Sequence, residues 1–220
     1  MIELKNITKI FSKADSENIL YKNMDFEVKS GEFIAIVGRS GSWKSTILNL
    51  ISGLLWPDEG SISIDNQDIT KLSQDEITKF RGKNMSFIFQ QFHLIPNLTV
   101  EENITLPLEI NKIPAQFETK EILQKVWLSQ KAESYPFELS GWEQQRVAVA
   151  RAFAAQTNIL LADEPTGNLD ENNAKNVMDI LQTLHKETKN TIILITHDMQ
   201  VAEYADKIFT LENKQLILKK

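Results

Sequence analysis

Phe33-Ile34-Ala35-Ile36-Val37-Gly38-Arg39-Ser40-Gly41-Ser42-Trp43-Lys44-Ser45-Thr46-Ile47-Leu48-Asn49-Leu50-Ile51 is the stretch on which the fold turns. Its first five residues are an uninterrupted apolar run, which suits a strand buried on both faces of a parallel sheet. Gly38 ends the run, and the polar turn from Arg39 to Thr46 opens into a helical pattern carrying Ile47, Leu48, Leu50 and Ile51. Strand, turn and helix in that order are the setting of a phosphate-binding loop. Main-chain N–H groups converge on an anion at the helix N-terminus, Lys44 adds a point charge, and the Ser45 hydroxyl can complete a Mg²⁺ shell. The pattern G-x-x-x-x-G-K-[ST] is broken at one position, where Trp43 stands for the second glycine. Glycine there would let the main chain approach phosphate, whereas an indole adds bulk and restricts φ.

Other buried-looking runs end in comparable chemistry. Met85 to Phe89 stops at Gln90, Ile159 to Ala162 stops at Asp163-Glu164-Pro165, and Ile192 to Ile195 stops at Thr196-His197-Asp198. Ligands of open α/β sheets gather beyond the carboxyl ends of the strands. Asp163, Glu164 and His197 are therefore expected to meet the Gly38–Thr46 loop.

Composition sets the outer limits. A chain of 220 residues with 42% apolar residues can bury one full core, with room for an inserted subdomain. The net charge of −6 and the lack of any Lys/Arg-rich block argue against nucleic acid as a partner. The absence of cysteine excludes disulfides and thiolate metal sites. No apolar run reaches membrane-spanning length, and Met1 leads into strand-like alternation rather than a signal peptide, so an internal, soluble protein is expected.

The rest of the chain reads as supporting elements. Ile2, Leu4 and Ile7, then Met24, Phe26 and Val28, alternate as half-exposed antiparallel strands expected to flank Phe33–Val37. Ile62 and Ile64 form a short strand before the Asp65-Asn66 turn. Ser73 caps a short helix with Glu76 as its box partner. Pro96, Pro107, Pro114 and Pro136 punctuate helical stretches at Val100–Leu106 and Phe117–Leu128, so residues 91–140 read as a mostly helical insertion. Ser140-Gly141 opens a long helix, and Val177, Ile180, Leu181 and Leu184 mark a crossover helix. Lys207 to Leu218 reads as two short strands. His93 and His185 read as ordinary surface or helix residues.

In this order and spacing the chain resembles the ATP-binding subunits of ABC transporters over essentially its whole length. Gly38–Thr46 matches the Walker A segment and Gln90 the Q-loop glutamine. Leu139-Ser140-Gly141-Trp142-Glu143-Gln144-Gln145 matches the signature LSGGEQQ. Ile159–Glu164 matches Walker B, Asn168-Leu169-Asp170 the D-loop, and His197 the switch histidine. Phe89-Gln90-Gln91-Phe92, the Asn103–Leu108 stretch and DEPTGNLD at Asp163–Asp170 are most similar to the branch serving lipoprotein release and macrolide export.

The resemblance implies an α/β P-loop NTPase (RecA-like) core, residues 1–90 and 141–220, with an N-terminal antiparallel β subdomain and the helical subdomain 91–140. It implies ATP and Mg²⁺ as cofactors. Phe11 would stack on adenine, and Gly38, Arg39, Ser40, Gly41, Ser42, Trp43, Lys44, Ser45 and Thr46 would hold the phosphates. Ser45, Gln90 and Asp163 would serve the metal, Glu164 would be the general base, and Lys44 and His197 would stabilise developing charge. Ser140, Gly141, Trp142, Glu143 and Asp170 would reach nucleotide across a head-to-tail homodimer. The helical subdomain and Q-loop would dock a membrane permease, which places the chain in the cytoplasm, peripheral on the inner face of the cell membrane.

All four tryptophans fall where glycine is suited. Trp43 and Trp142 sit on phosphate-facing glycines, Trp127 at a helix-ending position, and Trp56 in the loop after Gly53-Leu54-Leu55. Random drift to tryptophan at two such places beside intact catalytic residues is improbable, so these codons are expected to be UGA read as glycine. Were the tryptophans what the cell incorporates, the same fold would serve as a nucleotide-dead regulatory or scaffold subunit. A soluble ABC ATPase of DNA repair or translation is disfavoured by the single cassette, with no coiled-coil insertion and no basic arm.

Overall fold

The computed structural model describes residues 1–13, 16–38, 43–115 and 118–220. Two sheets form its framework. The first is antiparallel, in the order β2-β1-β4-β5, from β1 (Ile2–Lys13), β2 (Ser16–Val28), β4 (Glu59–Ile64) and β5 (Gln67–Asp68). The second runs β10-β9-β3-β8-β7-β6, from β3 (Phe33–Val37), β6 (Met85–Phe89), β7 (Ile159–Asp163), β8 (Thr191–Thr196), β9 (Lys207–Glu212) and β10 (Gln215–Leu218). It is parallel except for the edge strand β10, which runs antiparallel to β9.

β1 thus pairs with β2 on one side and β4 on the other, and neither β1 nor β2 pairs with β3, which lies between β8 and β9. The expectation that they flank Phe33–Val37 is corrected. An alternating strand can cover only one face of a core, so β1, β2 and β4 pack as a layer against β3 rather than in its plane.

Because β3, β7 and β8 are buried on both faces, successive side chains feed two cores. Ile34, Ile36, Leu161, Ile193 and Ile195 point towards the antiparallel sheet and helix α1 (Lys44–Ile51). Phe33, Ala35, Leu160, Ala162, Ile192 and Leu194 point the other way, towards α3 (Val100–Asn111), α4 (Thr119–Lys125), α5 (Gly141–Ala154) and α6 (Glu171–Thr188). Ile193 is fully buried and pairs with Ile34 on one side and Leu161 on the other. Ile193→Ala is expected to destabilise the protein by about 2–5 kcal/mol, read as a lowered urea midpoint.

Local signals set the helix ends. Helix α2 (Gln74–Asn84) starts at Ser73, whose N–H and hydroxyl both donate to the Glu76 carboxylate. Helix α3 runs through Pro107 to Asn111 rather than stopping at Leu106. The proline removes only one helical N–H, and the added turn buries Leu108. Helix α4 begins at Thr119; the expected start at Phe117 lies outside the described residues. A short helix α7 (Met199–Ala202) follows β8.

Candidate active site

Strand register brings the site together. Val37 of β3 lies opposite Thr196 of β8, Ile195 opposite Asp163 of β7, and Asp163 opposite Phe89 of β6. The carboxyl ends of four parallel strands therefore make one rim, and Gly38, His197, Glu164 and Gln90 each follow directly from it. A cleft of about 700 Å³ opens there, lined by Trp43, Lys44, Ser45, Thr46, Gln90, Asp163, Glu164 and His197, with Phe89, Gln91, His93 and Ile195. His93 was expected to be an ordinary surface residue; it lines this cleft and packs its ring against Phe89 at 4.7 Å. Arg39, Ser40, Gly41 and Ser42 lie outside the described residues.

Inside the cleft the charges are already ordered. Lys44, 5% exposed, donates from Nζ to the Gly38 carbonyl at 2.8 Å and lies 3.9 Å from Glu164 Oε1. Glu164 Oε2 meets His197 Nδ1 at 2.8 Å. Glu164 itself is in the left-handed region, φ 48°, held by its N–H to the Ile195 carbonyl (2.9 Å) and by Gly167 N–H to its own carbonyl (3.0 Å). That conformation costs a non-glycine residue about 1–3 kcal/mol and turns the carboxylate out of the strand, into the cleft. Ser45 Oγ donates to Asp163 Oδ1 at 3.0 Å.

Burial pushes the Asp163 carboxyl above its ordinary range, against the lowering pull of the Ser45 hydroxyl and the Lys44 charge. A divalent cation would reverse that penalty. One carboxylate beside one hydroxyl, with substrate phosphates to complete the shell, is a donor set suited to Mg²⁺, which seldom takes an all-protein cage. Among the described residues no group of three or more His, Cys, Asp or Glu side chains could enclose a metal by themselves.

The family model for ABC transporters matches residues 21–167. The chain belongs to the ABC transporter family. An uncharacterized ABC transporter ATP-binding protein of Methanocaldococcus jannaschii is 41% identical over 99% of this chain and 98% of its own length. The lipoprotein-releasing system ATP-binding protein LolD of Pseudoalteromonas translucida is 38% identical over 100% of this chain and 96% of its own length. Among solved structures, the chain is similar to the dimeric post-hydrolysis state of the ATP-binding cassette MJ0796 bound to ADP and Pi, with TM-score 0.88 and 39% identity over 100% of this chain and 98% of that one. This is an ABC transporter ATP-binding subunit of the ATPase type, with a P-loop NTPase fold.

The remaining predicted site residues sit elsewhere on this ABC subunit. Ser140 N-caps α5, with its N–H and hydroxyl on Glu143 Oε2 at 2.8 and 2.6 Å, and the hydroxyl bond holds that carboxyl below its usual range. None of Ser140, Gly141, Trp142 and Glu143 lines the cleft. Asp170 is the N-cap of α6, accepting from Asn173 N–H at 3.0 Å, and also lies off the cleft. Phe11, 36% exposed, stacks on Trp43 at 5.8 Å and 20°.

Two further residues emerge only in three dimensions. Asn168 exchanges hydrogen bonds with Gln90, receiving from Nε2 at 3.1 Å and donating to the Gln90 carbonyl at 2.9 Å, and a Cβ on neighbouring Gly167 would come within 2.8 Å of that amide. The buried Tyr21 hydroxyl donates to the Trp43 carbonyl at 2.7 Å. The only sequence signal for either was the place of Asn168 in the D-loop segment.

Proposed function

We propose that this subunit hydrolyses ATP to power an exporter or lipoprotein-releasing transporter, working as a head-to-tail homodimer. Lys44 and the amides at the start of α1 bind the phosphates, while Ser45 and Asp163 hold Mg²⁺ with help from Gln90. Glu164 takes the proton of the attacking water, and His197, hydrogen-bonded to it, steadies the γ-phosphate. Ser140 and Gly141, with the D-loop around Asp170, complete the partner's site, and Phe11 carries the adenine. Residues 91–140 with Gln90 form the docking face for a membrane permease. The subunit itself has no helix, among the described residues, long and apolar enough to cross a membrane. Its place would be cytoplasmic, on the inner membrane face.

One observation carries the dimer. The α5 N-terminus, an anion-binding end by its dipole, lies off its own chain's cleft, with Glu143 folded onto Ser140. The dimeric, ADP-bound state of MJ0796 is in keeping with this reading. The test is light scattering with Mg²⁺ and ATP, on the chain carrying glycine at 43 and 142. A dimer is expected with ATP, dissociating on hydrolysis, and Ser140→Arg should abolish it while ATP still binds. A monomer at saturating ATP would overturn the proposal.

A further inference from the structure

At two of the four tryptophans, Trp43 and Trp127, the backbone is one that glycine enters freely. Trp43 is the N-cap of α1 at φ 63°, ψ 21°, in the left-handed region, and makes no side-chain capping bond. Its carbonyl receives Tyr21 Oη at 2.7 Å and Thr46 N–H at 3.0 Å, so the surroundings fix the main chain there whatever the side chain. Trp127 closes the end of α4 at φ 57°, its N–H on the Gln124 carbonyl at 3.1 Å. A bulky residue is a genuine outlier in this region, and glycine enters it without penalty.

Against that strain the side chains offer stacking alone, Trp43 on Phe11 and Trp127 at 5.8 Å from the Arg146 guanidinium. Trp43 is 48% exposed and Trp127 57%, although a tryptophan normally contributes by burying 150–250 Å², roughly speaking. Among the described residues no indole N–H donates a hydrogen bond. The Trp43 indole lies in the cleft beside Lys44 and Ser45, stacked on Phe11 where a base would lie. The Trp142 indole, in the first turn of α5, lies 3.9 Å from the Arg146 guanidinium. Arg146 is nevertheless anchored through main chain, donating from Nη1 to the carbonyls of Val126 at 3.0 Å and Trp127 at 3.4 Å, bonds that any residue at 127 would keep. Composition agrees: 8 glycines in 220 residues is about half the usual share of about 7%.

We propose that the protein made in its own cell carries glycine at positions 43, 56, 127 and 142, each encoded by UGA that the organism's ribosomes read as glycine. Trp56, half-buried before Pro57, packs against the core and is not in the left-handed region, so its place in the proposal rests on its codon alone. The tryptophan chain is the product of a code that reads UGA as tryptophan. In the glycine chain no indole stands in the cleft beside Lys44 and Ser45, and Phe11 is free to stack on a base. This rests on the ATP-binding reading for its consequence but not for its chemistry.

Two measurements test it. Peptide masses of the protein isolated from the source organism should show glycine at all four positions, and its gene should carry UGA at each; UGG at 43 or 142, or a peptide carrying tryptophan there, overturns the proposal. Separately, Mg²⁺ and ATP should raise the unfolding midpoint of Trp43→Gly/Trp142→Gly and drive its dimerisation, while the tryptophan chain, folded by circular dichroism, shows neither. Equal ATP binding by both chains would overturn the steric argument. Glycine peptides together with a glycine chain that ignores ATP would instead sink the proposed function.

Discussion

Glu164→Gln is expected to lower ATP turnover by about 10²–10⁴-fold while ATP affinity stays nearly unchanged, in the chain with glycine at 43 and 142. The amide matches the carboxylate in shape and can keep the 2.8 Å contact with His197 Nδ1, whose tautomer adjusts to either partner. The main chain that aims the side chain, tied to Ile195 and Gly167, is untouched. What is lost is the lone pair able to accept a proton, and among the described residues of the cleft no other carboxylate faces that point. Asp163 is held by Ser45 and its burial favours the protonated form. His197 is exposed and reaches the site through Glu164 itself. Phosphate release at saturating ATP, set against ATP affinity by equilibrium binding, checks both halves. Full turnover in the glutamine variant would remove Glu164 from the role of base. Because hydrolysis is what releases the proposed dimer, the same variant should accumulate as dimer with ATP.

The parts of this architecture written locally were legible in the chain. Phe33–Val37, Ile159–Asp163 and Thr191–Thr196 read as central strands because burial on both faces leaves no polar position between apolar ones. Ser73 and Glu76 mark a helix start by spacing alone. Ser140 and Glu143 have the same spacing, but reading them only as a signature motif hid the capping contact. Sheet membership was not legible, since Ile2 pairs with Ile64, far along the chain, and alternation does not name a partner. Pro107 looked like a helix stop, yet one missing N–H is outweighed once Leu108 finds a core. The left-handed backbone of Glu164, the entry of His93 into the cleft and the Asn168–Gln90 exchange all depend on how loops from different strands meet, which no single segment encodes.

Lys44→Met, again in the chain with glycine at 43 and 142, separates nucleotide binding from folding. Methionine keeps the apolar stem that fills a site 5% exposed and deletes only the ammonium. In the nucleotide-free protein that ammonium donates to the Gly38 carbonyl at 2.8 Å and lies 3.9 Å from Glu164, at the edge of ion pairing, while Glu164 keeps its closer contact with His197. Losing that hydrogen bond and a loose attraction costs stability, and losing the desolvation cost of a buried charge restores part of it, so stability without ATP should fall by less than about 2 kcal/mol. Against a phosphate the balance differs, because among the described residues that line the cleft Lys44 is the one lysine or arginine. ATP affinity is expected to fall by about 2–4 kcal/mol, roughly 30- to 700-fold. At an ATP concentration about 100 times the parent dissociation constant, the stabilisation of about 2.7 kcal/mol by ligand should then fall below about 1 kcal/mol. Unfolding followed with and without Mg²⁺ and ATP reads both quantities in one experiment. A variant that unfolds as the parent does without nucleotide, and is stabilised as much as the parent with it, would take Lys44 out of the phosphate site.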